Sequence, residues 1–168
     1  MIIRDATASD FPDLLRLNEE SVHFLSPLSP ARLEALFGEA AYCRVVEDGD
    51  AVCGFLLAFG EASRYDSPNY LWFDGRFDRF LYIDRVVVSA AHQGRGIGKR
   101  LYDDLFVFAR RAGIPRLTCE FDVEPPNEAS RRFHERYGFR ELGTQAVAGG
   151  KKRVSLQAVS LPSATSGI

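Results

Sequence analysis

The chain has 168 residues, 46% of them hydrophobic and 26% charged, with a net charge of −2; that balance suits a folded globular domain and excludes disordered, collagen-like and strongly basic nucleic-acid-binding classes. No apolar run approaches the roughly 18 residues of a membrane-spanning helix, so neither a membrane nor a nucleic acid is expected as a partner. Cys43, Cys53 and Cys119 are odd in number and show no C-x-x-C spacing, which argues against a disulfide framework and a metal site and for a reducing, cytoplasmic compartment.

Ile2 to Ala6 reads as a short first strand, and Thr7 with Asp10 three residues on marks the start of a helix. The apolar stripe of that helix is Phe11, Leu14, Leu15 and Val22, and Asn18 falls inside it. Two readings stand for Asn18: a partly buried amide bonded to neighbouring backbone, or a group that faces substrate. Ser29-Pro30 offers an N-cap and a first-turn proline for a second, short helix with Leu33, Leu36 and Phe37 on its apolar face and Gly38 at its end. The linker between the two helices carries His23 and Phe24, candidates for the wall of an acceptor pocket.

Residues 42–47 and 51–59 are rich in strand formers and flank Asp48-Gly49-Asp50, which reads as a hairpin. Residues 60–79 are less regular and hold Tyr65, Tyr70, Trp72, Phe73 and Phe77; packing onto the domain is favoured there over a lid. Residues 80–88 form a central strand, and 98–112 a helix with Leu101, Leu105, Phe108 and Ala112 on one face, closed by Gly113 and Pro115. A strand over 116–123 leads to Pro125-Pro126-Asn127, with Asn127 as N-cap of a helix that turns Ala129, Phe133 and Tyr137 inward and ends at Gly138. Residues 139–147 and 152–161 form a last hairpin across Gly149-Gly150, and the small, polar tail 162–168 is expected to be mobile.

The chemistry concentrates where the central strand ends. Val86-Val87-Val88 breaks into a loop with glycine at 94, 96 and 98, and the loop opens directly onto a helix. Residues without a Cβ let backbone N–H groups approach an anion, the helix start adds unpaired donors and a positive dipole end, and Arg95, Lys99 and Arg100 add full charges. Such a loop fits a pyrophosphate. The dinucleotide fingerprint G-x-G-x-x-G fails at Lys99, and the P-loop fails at Gln93 and Arg100.

What the letters do match, Gln93-x-Arg95-Gly96-x-Gly98 after a valine-rich strand, resembles the pyrophosphate loop of the GNAT superfamily of acyl-CoA-dependent N-acetyltransferases. A second segment, Asn127-Glu128-Ala129-Ser130-Arg131-Arg132-Phe133-His134-Glu135-Arg136-Tyr137-Gly138-Phe139, is similar to a late helix of that family. The resemblance implies an α/β fold, a mixed, mostly antiparallel central sheet flanked by helices in a single domain over 1–161. It implies acetyl-CoA as cofactor, with main-chain groups near Val86 and Val88 on the acetyl and pantetheine parts. Gln93, Gly94, Arg95, Gly96, Ile97, Gly98 and Lys99 would bind the pyrophosphate, and Asn127 and Ser130 would make further contacts to coenzyme A. Many members have tyrosine at the position of His134, where its hydroxyl protonates the departing thiolate. The Ala-Ser-x-x-Phe-His wording is similar to acetyltransferases of small amino-acid-like amines, which implies a small-molecule acceptor. The family also admits a homodimer, with residues 139–161 as the candidate surface.

Direct transfer from a thioester to an amine needs a base, a donor for the oxyanion and an acid for the thiolate. Asp84 is the leading candidate for the base, since alternation puts it on one face with Val86 and with Tyr82, which would frame the acceptor; the other reading pairs Asp84 with a basic neighbour. Glu20 or an ordered water are the alternatives. A backbone N–H between Val86 and Val88 is the candidate oxyanion donor, and His134 or Tyr137 the candidate acid. Cys119 has no histidine partner in sequence, so a covalent intermediate is not expected. The rivals are a non-catalytic acyl-CoA-binding module and a nucleotide-binding protein.

Overall fold

The computed structural model describes residues 1–22 and 25–162, so His23, Phe24 and residues 163–168 of the tail lie outside the described residues. In chain order the elements are β1 (Ile2–Asp5), α1 (Phe11–Glu20), α2 (Pro30–Glu39), β2 (Tyr42–Asp48), β3 (Ala51–Gly60), α3 (Pro68–Asp74), β4 (Leu81–Val88), α4 (Ile97–Arg111), β5 (Arg116–Glu124), α5 (Glu128–Arg136), β6 (Arg140–Val147) and β7 (Lys152–Ser160). They gather into two compact units, Met1–Phe59 with Ile83–Phe108, and Gly60–Tyr82 with the chain from Ala109 on.

In the first unit the strands run in the order β1-β2-β3-β4, with antiparallel pairing of β1 to β2 and of β2 to β3. Asp10 accepts from the Thr7 N–H at 2.8 Å, so the predicted helix start is present, and Ser29 caps α2 by accepting from the Arg32 N–H at 3.0 Å. The two helices meet through Phe11 and Phe37, whose rings lie 5.1 Å apart. Helix α4 packs closely on β3: a Cβ at Gly54 would stand 3.0 Å from Ile97 Cγ2 and 3.0 Å from the Val87 carbonyl oxygen. Only glycine admits that approach.

In the second unit β4 pairs in parallel with β5 through Leu81↔Leu117 and Tyr82↔Thr118, and β7 lies between β5 and β6, antiparallel to both. The aromatic stretch after β3 forms a packed cluster, as expected, with Tyr65, Tyr70 and Phe73 buried. Part of it is helical, which was not expected: Ser67 and Pro68 start α3 as Ser29 and Pro30 start α2. One expectation about α5 needs correction. Its buried side chain is His134, whereas Ala129 is exposed and Phe133 and Tyr137 are half-buried. The helix is rotated because Phe121 and Phe139 receive the His134 ring, at centroid distances of 5.6 and 5.2 Å.

Candidate active site

In the first unit the chain leaves β4 at Val88, passes through a 3-10 turn at Ala90–His92, and enters the glycine loop ahead of α4. Gly94 and Gly96 take φ of +78° and +75°, the left-handed region that costs other L-residues about 1–2 kcal/mol. Gly98 has no positive φ, and among the described residues nothing lies within 4 Å of where its Cβ would stand. The fold itself therefore makes no demand for glycine at 98. The space lies over the first turn of α4, where unpaired N–H groups and the positive dipole end meet solvent, a cradle for an anion.

Gln93, Arg95 and Lys99 are exposed beside that cradle, while the Ile97 side chain is 1% exposed and belongs to the core. Ile97 can serve a ligand only through its main chain. Arg95 Nη1 and His92 Nε2 each lie 3.4 Å from Oδ2 of Asp48, the last residue of β2, and Lys99 Nζ lies 2.7 Å from Asp103. Pairs this exposed contribute about 1 kcal/mol or less, so Arg95 and Lys99 can be redirected to a phosphate at small cost.

Asp84 sits in the ion pair that was one of its two readings. Arg85 Nε donates to Asp84 Oδ2 at 2.6 Å, and the two side chains are 3% and 5% exposed. Arg85 Nη1 also donates to Asn18 Oδ1 at 2.9 Å and to the Ser26 carbonyl at 3.3 Å, and Nη2 reaches Ser26 Oγ at 3.3 Å. Asn18 Nδ2 donates to the same Ser26 carbonyl at 3.0 Å. Asn18 is thus a buried amide tied to backbone and to Arg85. Arg85 was missed, although a charge on the face opposite Asp84 in a valine-rich strand is a visible signal. Glu20, the alternative base, is exposed at the end of α1 with Arg16 Nη1 at 3.7 Å.

In the second unit Tyr82 is fully buried and its hydroxyl donates to Glu120 Oε2 at 2.7 Å. Glu120 was also missed; its signal is a carboxylate inside the otherwise apolar run Leu117 to Phe121. Asn127 caps α5 by accepting from the Ser130 N–H at 3.2 Å. His134 Nδ1 lies 2.7 Å from the Ser130 carbonyl oxygen and 3.3 Å from Ser130 Oγ. A carbonyl only accepts, so this partner assigns the ring proton to Nδ1. Tyr137 closes α5, its ring 5.2 Å from that of Phe133. Cys119 is 2% exposed and burial raises its thiol well above the ordinary value, the opposite of a nucleophile's requirement.

Burial lowers the His134 pKa from 6.5, and this fixes the sign of a pH effect. The unfolded chain takes the proton first on acidification, so the contribution to stability is full above about pH 6.5 and is lost as the pH falls through the window below it, by at most about 1.4 kcal/mol per pH unit. Thermal melts from pH 7.5 to 5.0 should fall more steeply for wild type than for His134→Gln; equal slopes would show that the ring is not held neutral.

The phosphinothricin N-acetyltransferase of Streptomyces coelicolor is 41% identical over 66 residues, 39% of this chain and 37% of that protein. The L-methionine sulfoximine/L-methionine sulfone acetyltransferase of Salmonella typhimurium is 36% identical over 77 residues, 45% of this chain and 44% of that protein. The chain thus matches less than half the length of these relatives. The solved ribosomal-protein-alanine N-acetyltransferase of Brucella melitensis shares the fold, with a TM-score of 0.72 at 22% identity over 95% of this chain and 100% of that one. A family model described as acetyltransferase (GNAT) family matches residues 6–139, which include the glycine loop and the segment from Asn127 to Phe139, and the chain belongs to that family.

Proposed function

We propose that the chain is an N-acetyltransferase that moves an acetyl group from acetyl-CoA to the primary amine of a small, amino-acid-like molecule, in a cytoplasmic protein whose catalytic domain covers residues 1–161. The observation that carries this reading is the loop before α4, with two left-handed glycines and, among the described residues, nothing within 4 Å of a Cβ at Gly98 in the first turn of the helix. Family membership supports the reaction type, the named substrates of the two relatives support the acceptor class, and three unpaired cysteines support the compartment.

Acetyl-CoA supplies the activated acyl group when bound. In the first unit the main-chain N–H groups from Gly94 to Lys99 would hold its pyrophosphate, with Gln93 and Arg95 beside it and main-chain groups of Val86 and Val88 toward the acetyl end; for Asn127 and Ser130 the coenzyme A contact rests on the family resemblance alone. Asp84, kept in place by Arg85, takes the ammonium proton directly or through water, because the nitrogen must be neutral before it can attack the thioester. Tyr137 is the acid for the thiolate in this reading, because His134 holds its proton on Nδ1 toward Ser130 and is kept neutral by burial.

Calorimetric titration with acetyl-CoA, coenzyme A and ATP tests the reading, followed by acceptor-dependent release of coenzyme A with phosphinothricin and L-methionine sulfoximine as first acceptors. Saturable binding of the first two ligands, weaker binding of ATP and acceptor-dependent release are expected. Folded protein that binds neither acetyl-CoA nor coenzyme A would reject it; binding without transfer to any amine would leave an acyl-CoA sensor.

A further inference from the structure

We infer that Asp48 is a positioning residue of the cofactor site, an internal competitor whose carboxylate contends with the diphosphate of coenzyme A for Arg95 and His92 and so holds affinity down; this rests on the transferase reading. The two cationic side chains meet on one atom. Arg95 Nη1 and His92 Nε2 each stand 3.4 Å from Asp48 Oδ2, although Asp48 ends β2 and the other two lie on the chain between β4 and α4. Backbone pairing within the first unit brings them together. The Ser89 N–H donates to the Cys53 carbonyl at 2.8 Å, which ties the end of β4 to β3, and the turn at Gly49, with φ of +65°, sets Asp48 opposite Ala51 in the β2–β3 hairpin.

His92 is aimed as well as near. Its main-chain N–H donates to the Ser89 carbonyl at 2.9 Å, and its Nδ1 lies 3.2 Å from Ser89 Oγ. A carboxylate only accepts, so the Nε2 that faces Asp48 carries a proton whether the ring is neutral or charged, and the Ser89 hydroxyl can donate to Nδ1 of the neutral ring. His92 and Arg95 thus present two donors to one anionic oxygen. A phosphoryl oxygen meets the same requirement. The Arg95 and Asp48 side chains are 51% and 36% exposed, so water weakens their pairing, whereas a diphosphate carries more charge than a carboxylate and also receives the main-chain N–H groups of the glycine loop. The cations therefore pass to the diphosphate, and Asp48 remains beside the loop as a like charge that opposes it.

Asp48→Asn removes the charge and keeps the shape of the side chain. In calorimetry this variant should bind coenzyme A and dephospho-coenzyme A about three- to tenfold more tightly than wild type does, with no difference between the two proteins for pantetheine, which has no diphosphate. High salt should shrink the gain, because contacts this exposed are screened. A purely structural Asp48 gives the opposite sign, weaker binding together with a lower melting temperature. Introduced into protein that already carries Arg95→Gln and His92→Gln, the same Asp48→Asn change should alter affinity by less than about twofold. Unchanged or weaker binding of coenzyme A by Asp48→Asn overturns the inference, as does a gain that pantetheine shares or that persists undiminished without Arg95 and His92. Wild-type protein that binds neither acetyl-CoA nor coenzyme A rejects the transferase reading itself.

Discussion

Gly96→Val should leave a folded protein whose affinity for acetyl-CoA is lower by about 100-fold or more, equivalent to roughly 2.7 kcal/mol. Two effects add. At φ +75° a β-branched residue is strained, so the loop relaxes toward negative φ and turns its N–H groups away from the anion. The new side chain also projects into the open space of the loop, where the proposed pyrophosphate would lie. Among the described residues nothing stands within 4 Å of a Cβ at 96, so the loss of stability is limited to backbone strain of about 1–2 kcal/mol. Gly98→Ala separates the two effects, because its φ is not left-handed and it lies in the first turn of α4. Alanine there should stabilise the fold by at most about 1 kcal/mol and still weaken acetyl-CoA. Calorimetry and thermal melts on both variants check this, and wild-type affinity in Gly96→Val would mean that the loop is only a turn.

The loop was legible because its geometry is local: a β-branched run, three glycines at alternate positions and a helix start lie within sixteen residues, from Val86 to Leu101. The hairpins were legible for the same reason. Helix α3 was not, since seven residues cannot display an apolar stripe and its tyrosine, tryptophan and phenylalanines are equally at home in a loop. The face of α5 was misread because phase within a helix is set by what lies beneath it, here Phe121 and Phe139, and not by the helix alone. Arg85 and Glu120 were missed for a related cause. Their partners Asn18 and Tyr82 are 67 and 38 residues away in sequence, and no local spacing reports a contact between elements. Phe24, expected to wall the acceptor pocket, lies outside the described residues.

Arg85→Met should destabilise the protein by about 3–5 kcal/mol, the range for removing one partner of a buried ion pair. The substitution leaves the Asp84 carboxylate, 5% exposed, without the guanidinium at 2.6 Å, and removes the donors that Asn18 Oδ1 and Ser26 accept from. Asp84→Asn should cost less, about 1.5–3 kcal/mol, because an amide oxygen still accepts from Arg85 Nε and only the charge is lost. The double variant, which leaves neither charge buried, should recover part of the Arg85→Met loss, and a coupling energy near zero in that cycle would show that the pair contributes no mutual stabilisation. Kinetics then distinguish anchor from base. Measured well below the melting temperature, Asp84→Asn should lower kcat by about 10²–10⁴ if its carboxylate accepts the acceptor's proton. A kcat per folded molecule equal to wild type would reduce Asp84 to an anchor that ties α1 and Ser26 to β4 and would pass the base role to water or to Glu20.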